Sequence, residues 1–151
     1  MAVSVITNEI QYSFFNWDTS YNRFKLKDKA WILVPFMQDG KKKRMLMTFD
    51  RGYICDGLSV PKCLRWFLKN WDPKNELYNL SGVVHDALYA WKGFKIFNRE
   101  ECDDFFRGLL RASGQDRKHA SIADFFLGLF AGTHWGNDDF QCKDKVSIQI
   151  S

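Results

Sequence analysis

Two apolar runs separated by a turn signal predict a β-hairpin in the first third of the chain. Residues 30–34 form a compact apolar run that ends at Pro35, and residues 45–49 form the second run. Asp39 and Gly40 lie between the runs, and an Asp-Gly pair accepts the positive φ angles that a two-residue hairpin turn requires. We therefore expect two antiparallel strands joined by a tight turn at this dipeptide.

Further strands are indicated by alternation before and after the hairpin. Val3 and Val5, followed by Tyr12 and Phe14, point to one or two earlier strands. Residues 146–150 alternate strictly between apolar and polar side chains, a pattern typical of a half-buried strand. We predict that this last strand returns to the sheet of the hairpin.

Apolar positions at helical spacing predict four helices in the middle and back of the chain. Ser59 caps a short first helix. Lys92 and Gly93 end the second helix, and Asn98 with Glu101 forms a capping box for the third. The predicted segments are residues 59–68, 76–91, 98–113 and 117–131.

The composition agrees with a globular domain. Of 151 residues, 46% are hydrophobic and 26% are charged, so the chain can bury a substantial core. We predict one α+β domain over residues 1–151, in which an N-terminal antiparallel β-sheet, completed by the C-terminal strand, packs against a bundle of about four helices. The β-rich part covers residues 1–57, the helical part residues 58–135 and the last strand residues 144–151.

The charge distribution and the lengths of the apolar runs argue against a nucleic acid and against a membrane-spanning segment. The net charge is +4, and the basic run at residues 41–44 accompanies no nucleic-acid-binding motif, which favours a solvated hairpin loop. We therefore do not expect nucleic acid to be a partner. The longest apolar-rich stretch, residues 122–131, is interrupted by Asp124 and is too short to span a membrane.

Cysteine spacing and the first residues bear on the cellular compartment. The four cysteines, at positions 55, 63, 102 and 142, show no CxxC spacing, which favours free thiols. The first residues lack the basic start and the continuous apolar stretch of a signal peptide. We therefore expect a protein of a reducing cytoplasm.

The most informative ionisable cluster lies on the second and third predicted helices. His85 and Tyr89 are four residues apart and share one helix face, whereas Asp86 is turned about 100° away. Asp103 lies early in the next helix, an antiparallel neighbour, so its carboxylate can reach His85 or Tyr89. A carboxylate that holds one imidazole nitrogen leaves the other available to take a proton from water, and Asp86 can hold a hard cation.

A structural interpretation stands beside the chemical one, since a buried His-Asp-Tyr set can simply tie two helices together. Asp56 is either a turn residue and helix cap or a further member of the polar site, and its residue type favours the turn role. Ser59 is assigned as a helix cap because no base is identified beside it. His119 and His134 are assigned to the surface or to packing.

Three ordered motifs resemble a family of short phage and prophage proteins that is known as a domain of unknown function. They are Asp-Gly-Leu-Ser-Val-Pro at residues 56–61, His-Asp-Ala-Leu-Tyr at residues 85–89, and a helix opening that carries Asp103. The similarity covers roughly residues 52–114, and Leu58 replaces a residue that is usually small. The resemblance implies a phage or prophage origin and a location in the host cytoplasm or the virion, but no particular activity.

The His-Asp helix pair is also similar to that of secreted phospholipases A2, which carry His-Asp-x-x-Tyr on one helix and an Asp after Glu-Cys on the antiparallel helix. The similarity implies that His85 is a water-activating base and that Asp103 is its partner. Asp86 would be a calcium ligand and Tyr89 a support. The chain departs from those enzymes because it lacks their glycine-rich calcium loop and disulfide framework; Asp56 is the candidate substitute for the loop.

Two functions follow from these residues. The first is a metal-assisted hydrolase-like site with no assigned substrate, in which His85, Asp103 and Tyr89 are catalytic, while Asp86 and Asp56 bind a divalent cation, calcium or zinc. The second is a non-catalytic phage protein, either a virion component or an inhibitor that binds a host factor. The aromatic content of 17% favours the second because exposed aromatic side chains anchor protein interfaces.

Overall fold

The computed structural model describes residues 2–20, 24–55, 72–114 and 143–151. The strands within them are β1 (Ser4–Val5), β2 (Gln11–Tyr12), β3 (Trp17–Asp18), β4 (Phe24–Leu26), β5 (Ala30–Gln38), β6 (Lys41–Phe49), β7 (Ile54–Cys55) and β8 (Val146–Ile150). The α-helices are α1 (Glu76–Ala90) and α2 (Arg99–Ala112). Neither of these two helices has the length and apolarity that crossing a membrane would require.

The larger sheet is built around the predicted hairpin. Its strands lie in the order β1-β5-β6-β8, with β2 also paired to β5, and every pairing is antiparallel. Asp39 and Gly40 have φ angles of 56° and 73°, the left-handed values that an Asp-Gly turn favours. The hairpin and the returning strand β8 are both confirmed.

One face of the larger sheet packs on the helices. Ile32 of β5 and Met47 of β6 are fully buried on this face, because alternate residues of a strand point to the same side. Phe36 of β5 meets Phe105 of α2 edge to face, with 5.0 Å between the ring centroids. The hydrophobic core therefore lies between this sheet and the helix pair.

A second sheet, with the strand order β3-β4-β7, gives no clear sequence signal. Its strands are only two or three residues long, too short to show alternation. Residues 41–44, predicted to be a loop, are instead the first residues of β6. Hydrogen bonding to β5 extends the hairpin to its turn, and the Lys42 ammonium forms an exposed ion pair with Glu9 at 2.9 Å.

Two of the predicted helices are confirmed, and the predicted capping box of the second is confirmed as well. The Asn75 side chain accepts a hydrogen bond from the Tyr78 backbone at the start of α1. The predicted capping box opens α2: the Asn98 side chain accepts from the Glu101 amide at 2.8 Å, and the Glu101 carboxylate accepts from the Asn98 amide at 2.9 Å. The α+β class is confirmed, but the described residues hold two helices rather than a bundle of about four; residues 59–68 and 117–131 lie outside them.

The connection between α1 and α2 is a left-handed turn. Lys92, Gly93, Phe94 and Lys95 have φ angles of 50°, 65°, 54° and 62°. A right-handed helix cannot continue through such angles, so the predicted stop at Lys92 and Gly93 is confirmed. The turn reverses the chain, and Asn75 before α1 donates a hydrogen bond of 2.9 Å to the Ser113 carbonyl after α2. The two helices are therefore antiparallel neighbours.

Candidate functional site

The candidate site is formed where α1 and α2 face each other. His85 and Tyr89 lie one turn apart on α1, and Asp103 lies in the first half of α2. The antiparallel arrangement brings these three side chains into contact, as their spacing predicts. Their functional roles stay predictions.

Asp103 Oδ1 is the shared hydrogen-bond acceptor of the site. His85 Nε2 lies 3.0 Å from this oxygen, and the Tyr89 hydroxyl donates to the same oxygen at 2.6 Å. The imidazole ring also contacts two aromatic rings, with centroid distances of 4.1 Å to Tyr89 and 4.9 Å to Phe106. These contacts hold the position and the plane of the imidazole.

The shared acceptor assigns the proton on the imidazole. An ionised Asp103 carboxylate can only accept, so the nitrogen that faces it, His85 Nε2, carries the hydrogen. The neutral ring then has its lone pair on Nδ1, and none of the described residues forms a hydrogen bond with that atom. Nδ1 is therefore the atom that can take a proton.

The site is largely buried but reaches the surface, since 11% of the His85 side chain and 12% of the Asp103 side chain are exposed. Burial and the hydrogen bond to Asp103 raise the pKa of Tyr89, so its hydroxyl stays a neutral donor. Burial, followed by the charges of Asp103 and Glu101, raises the pKa of the neighbouring Cys102 thiol. Cys102 is accordingly a thiol at neutral pH, not a thiolate nucleophile.

Two further residues border the site without having been assigned to it from the sequence. Phe106 follows Asp103 by three positions and places its ring against the imidazole, a contact that the i,i+3 spacing could have suggested. Arg99 precedes Asp103 by four positions and is exposed, and its positive charge partly offsets the raised pKa of Tyr89. One buried aromatic ring therefore packs against the imidazole, and one exposed cation lies close enough to influence the pKa of Tyr89.

The proposed cation ligands are not brought together by the described part of the chain. Asp86 is half-buried on α1 next to His85, and it has interactions of its own. Across residues 2–20, 24–55, 72–114 and 143–151, no three His, Cys, Asp or Glu side chains gather in a way that could hold a metal ion. The remaining sequence-based assignments, Asp56, Ser59, His119 and His134, lie outside the described residues.

The cysteines agree with the expectation of free thiols as far as they are described. Cys55 and Cys102 are buried, and they do not form a disulfide with each other. Positions 63 and 142 lie outside the described residues.

Comparison with known proteins relates the chain to one family. A family model described as "Protein of unknown function (DUF1353)" matches residues 31–124, which is more than half of the chain. The matched segment includes all of β5 except its first residue, β6, both helices and the three residues of the site. Searches of curated proteins and of solved structures gave no match.

Proposed function

The chain belongs to the DUF1353 family, and we propose that this member is a phage or prophage protein with a hydrolase-like site in which His85 activates water. The observation that carries the proposal is the double hydrogen bond to Asp103 Oδ1, from His85 Nε2 at 3.0 Å and from the Tyr89 hydroxyl at 2.6 Å. It leaves Nδ1 of an oriented imidazole with a lone pair. The three ordered motifs support the phage origin.

The proposed reaction is general-base hydrolysis of an ester. His85 Nδ1 takes a proton from water while the water oxygen attacks the carbonyl carbon or phosphorus of the substrate. The resulting imidazolium is stabilised by the Asp103 carboxylate, whose own charge does not change. The proton on Nδ1 then passes to the leaving oxygen, which restores the neutral ring.

Cation assistance is a separate prediction and enters no step of this reaction. Asp86 lies beside His85 on α1, but the described residues supply no second and third ligand around it. Titration with calcium or zinc, followed by calorimetry on the wild type and Asp86→Asn, tests this prediction. Binding that Asp86→Asn abolishes would support it.

The proposed base is tested with two chromogenic substrates, the carboxylic ester p-nitrophenyl acetate and the phosphodiester bis(p-nitrophenyl) phosphate. We expect hydrolysis by the wild type to be lost in His85→Ala and to fall about a hundredfold or more in Asp103→Asn, because the imidazolium loses its counter-charge. Tyr89→Phe keeps the aromatic ring and removes only one donor, so its rate should fall least.

A spectroscopic readout separates catalysis from a purely structural role. Imidazole nitrogen chemical shifts of the wild type, assigned by comparison with His85→Ala, should show that the neutral form of the ring carries its hydrogen on Nε2 and none on Nδ1. A neutral ring with its hydrogen on Nδ1 would rule out the proposed base. Equal rates for the wild type and His85→Ala on both esters would favour the interpretation that the cluster only ties the helices together.

A non-catalytic binding protein is the second candidate, and exposed aromatic side chains favour it. Phe14 is 76% exposed, Tyr12 is 39% exposed and Trp31 is 38% exposed, all on or beside β2 and β5. Such side chains anchor interfaces with virion or host proteins. This candidate predicts that Phe14→Ala weakens capture of a virion or host protein, whereas His85→Ala leaves capture unchanged.

A further inference from the structure

Strand β8 forms one edge of the larger sheet. It pairs with β6 on one side, from Phe49 with Val146 to Met45 with Ile150. On its other side, no strand of the described part of the chain pairs with it. A strand in this position presents a row of backbone donors and acceptors to another chain.

The hydrogen bonds to β6 show which backbone groups face outward. Arg44 and Ser151 exchange both backbone hydrogen bonds, at 2.9 and 3.0 Å, and the Asp50 amide donates to the Lys145 carbonyl at 2.7 Å. Because bonded residues alternate along an antiparallel pair, Ser147 and Gln149 also face β6. The amides and carbonyls of Val146, Ile148 and Ile150 therefore point away from the sheet.

The opposite edge of the sheet is protected against such pairing, whereas β8 itself carries none of the usual protective features. There β1 and β2 are each two residues long, and the 3-10 turn Thr7–Glu9 separates them. The charged Glu9 side chain in this turn is paired with Lys42. Strand β8 has five residues, Val-Ser-Ile-Gln-Ile, without a charge, a proline or an interruption. Short, interrupted and charged edges are the usual means of preventing association.

We propose that β8 pairs antiparallel with β8 of a second copy of this chain, about a twofold axis at Ile148. In this register Ile148 faces its own counterpart, and Val146 faces Ile150 of the partner subunit. All of these residues have outward-pointing backbone groups, so they form the hydrogen-bonded positions of the new pairing. The two larger sheets become one continuous sheet across the dimer.

In this register the side chains of β8 are complementary to those of β8 in the second copy. Ile148 and Ile150 are half-buried on the core side, and the second copy would cover the part that remains exposed. On the other face, exposed Ser147 lies opposite Gln149 of the partner subunit. Apolar positions thus meet apolar positions and polar positions meet polar ones, as a twofold interface requires. This self-complementarity is why the proposed occupant is a second copy.

The test uses charges at the two exposed positions of β8. The double variant Ser147→Lys/Gln149→Lys places two lysines opposite each other at both symmetric contacts, whereas Ser147→Lys/Gln149→Glu places lysine opposite glutamate. Side chains at these non-hydrogen-bonded positions are close, so we expect the dimer dissociation constants to differ by about tenfold or more, with the Lys/Lys variant the weaker. Analytical ultracentrifugation of the full chain at low salt measures both constants.

The two variants share one substitution and differ only in the sign of one surface charge. Circular dichroism and thermal melting confirm that both remain folded. The pairing is supported if the wild type is a dimer, if the Lys/Lys variant dimerises more weakly, and if the Lys/Glu variant dimerises more strongly than the Lys/Lys variant. A wild type that sediments as a monomer at millimolar concentration overturns it, and so does a dimer whose dissociation constant is the same in both variants.

Discussion

Glu76 is a carboxyl group that the fold holds in an environment unfavourable to its charge. It is the first residue of α1 and half-buried, and its Oε1 atom is buried without a hydrogen-bond partner among the described residues. Burial raises the pKa of Glu76, and a hydrogen bond from the Phe15 backbone only partly opposes this shift. The folded state therefore binds the Glu76 proton more tightly than the unfolded state does.

Glu76→Gln should become increasingly favourable, relative to the wild type, as the pH rises. A carboxyl whose pKa is raised by folding costs no stability below its unfolded pKa, near 4.5, and costs progressively more as the pH rises through its folded value. Urea unfolding at pH 4 and pH 7 measures the difference in free energy of unfolding. Glu100→Gln, at an exposed first-turn glutamate of α2, controls for the loss of one negative charge. A Glu76→Gln difference that does not change with pH would contradict this linkage.

The left-handed turn between α1 and α2 contains strained backbone conformations. Three of its four residues, Lys92, Phe94 and Lys95, are not glycine, yet all have positive φ. Such a conformation costs an L-residue with a side chain about 1–2 kcal/mol relative to the right-handed one. The turn persists because the flanking helices pack together and because the Ile96 amide donates to the Gly93 carbonyl at 2.9 Å.

Lys95→Gly should stabilise the protein by about 0.5–1 kcal/mol. The Lys95 side chain is exposed, so its removal loses little packing, while glycine adopts a φ of 62° without the penalty of a Cβ atom. The free energy of unfolding from urea titration measures the gain. Lys25→Gly, at an exposed position of β4, is the matched control and should instead destabilise. If Lys95→Gly and Lys25→Gly lower the free energy of unfolding by similar amounts, the turn is unstrained.

Elements with local signals could be predicted, and those that depend on distant packing could not. Asp39 and Gly40 define the hairpin turn, and the Asn98–Glu101 spacing defines the start of α2, because each signal acts within a few residues. The β3-β4-β7 sheet could not be predicted because each strand is stabilised by its neighbours rather than by its own sequence pattern. Left-handed φ angles at lysine and phenylalanine have no sequence signature of comparable strength.

The residues of the candidate site could be predicted from the sequence, but the atoms through which they contact each other could not. Helical spacing puts His85 and Tyr89 on one face, and a short connection brings Asp103 beside them. That both side chains bind one oxygen, Oδ1, depends on the distance and rotation between α1 and α2. Those quantities are set by packing across the whole interface, including the ring of Phe106.

At the scale of the whole molecule, α2 is fixed to the edge of the larger sheet through a close approach to β1. The Val3 amide donates to Asp104 Oδ2 at 2.9 Å. A Cβ atom added to Gly108 would lie only 3.1 Å from Val5 Cγ1 and closer still to Val5 Cβ. Gly108 is therefore present because no side chain fits between α2 and β1.

Gly108→Ala should destabilise the protein by about 1–3 kcal/mol, although alanine favours helix more than glycine does. The new methyl group must displace β1, which is paired with β5. In a Val5→Gly background, which removes the opposing side chain, the same change should cost much less or become stabilising. A double-mutant cycle by urea unfolding measures this coupling. Equal costs in the two backgrounds would mean that the methyl group is accommodated elsewhere.

The distances along the sequence between bonded residues bear on the order in which the molecule assembles. The hydrogen bonds of Asp103 to Tyr89 and His85 span 14 and 18 positions, whereas the bond of Val3 to Asp104 spans 101. Short loops close at a smaller entropy cost and form sooner than long ones. We therefore expect the contact between the two helices, which carries the imidazole and its carboxylate, to form before the contact of Val3 with Asp104.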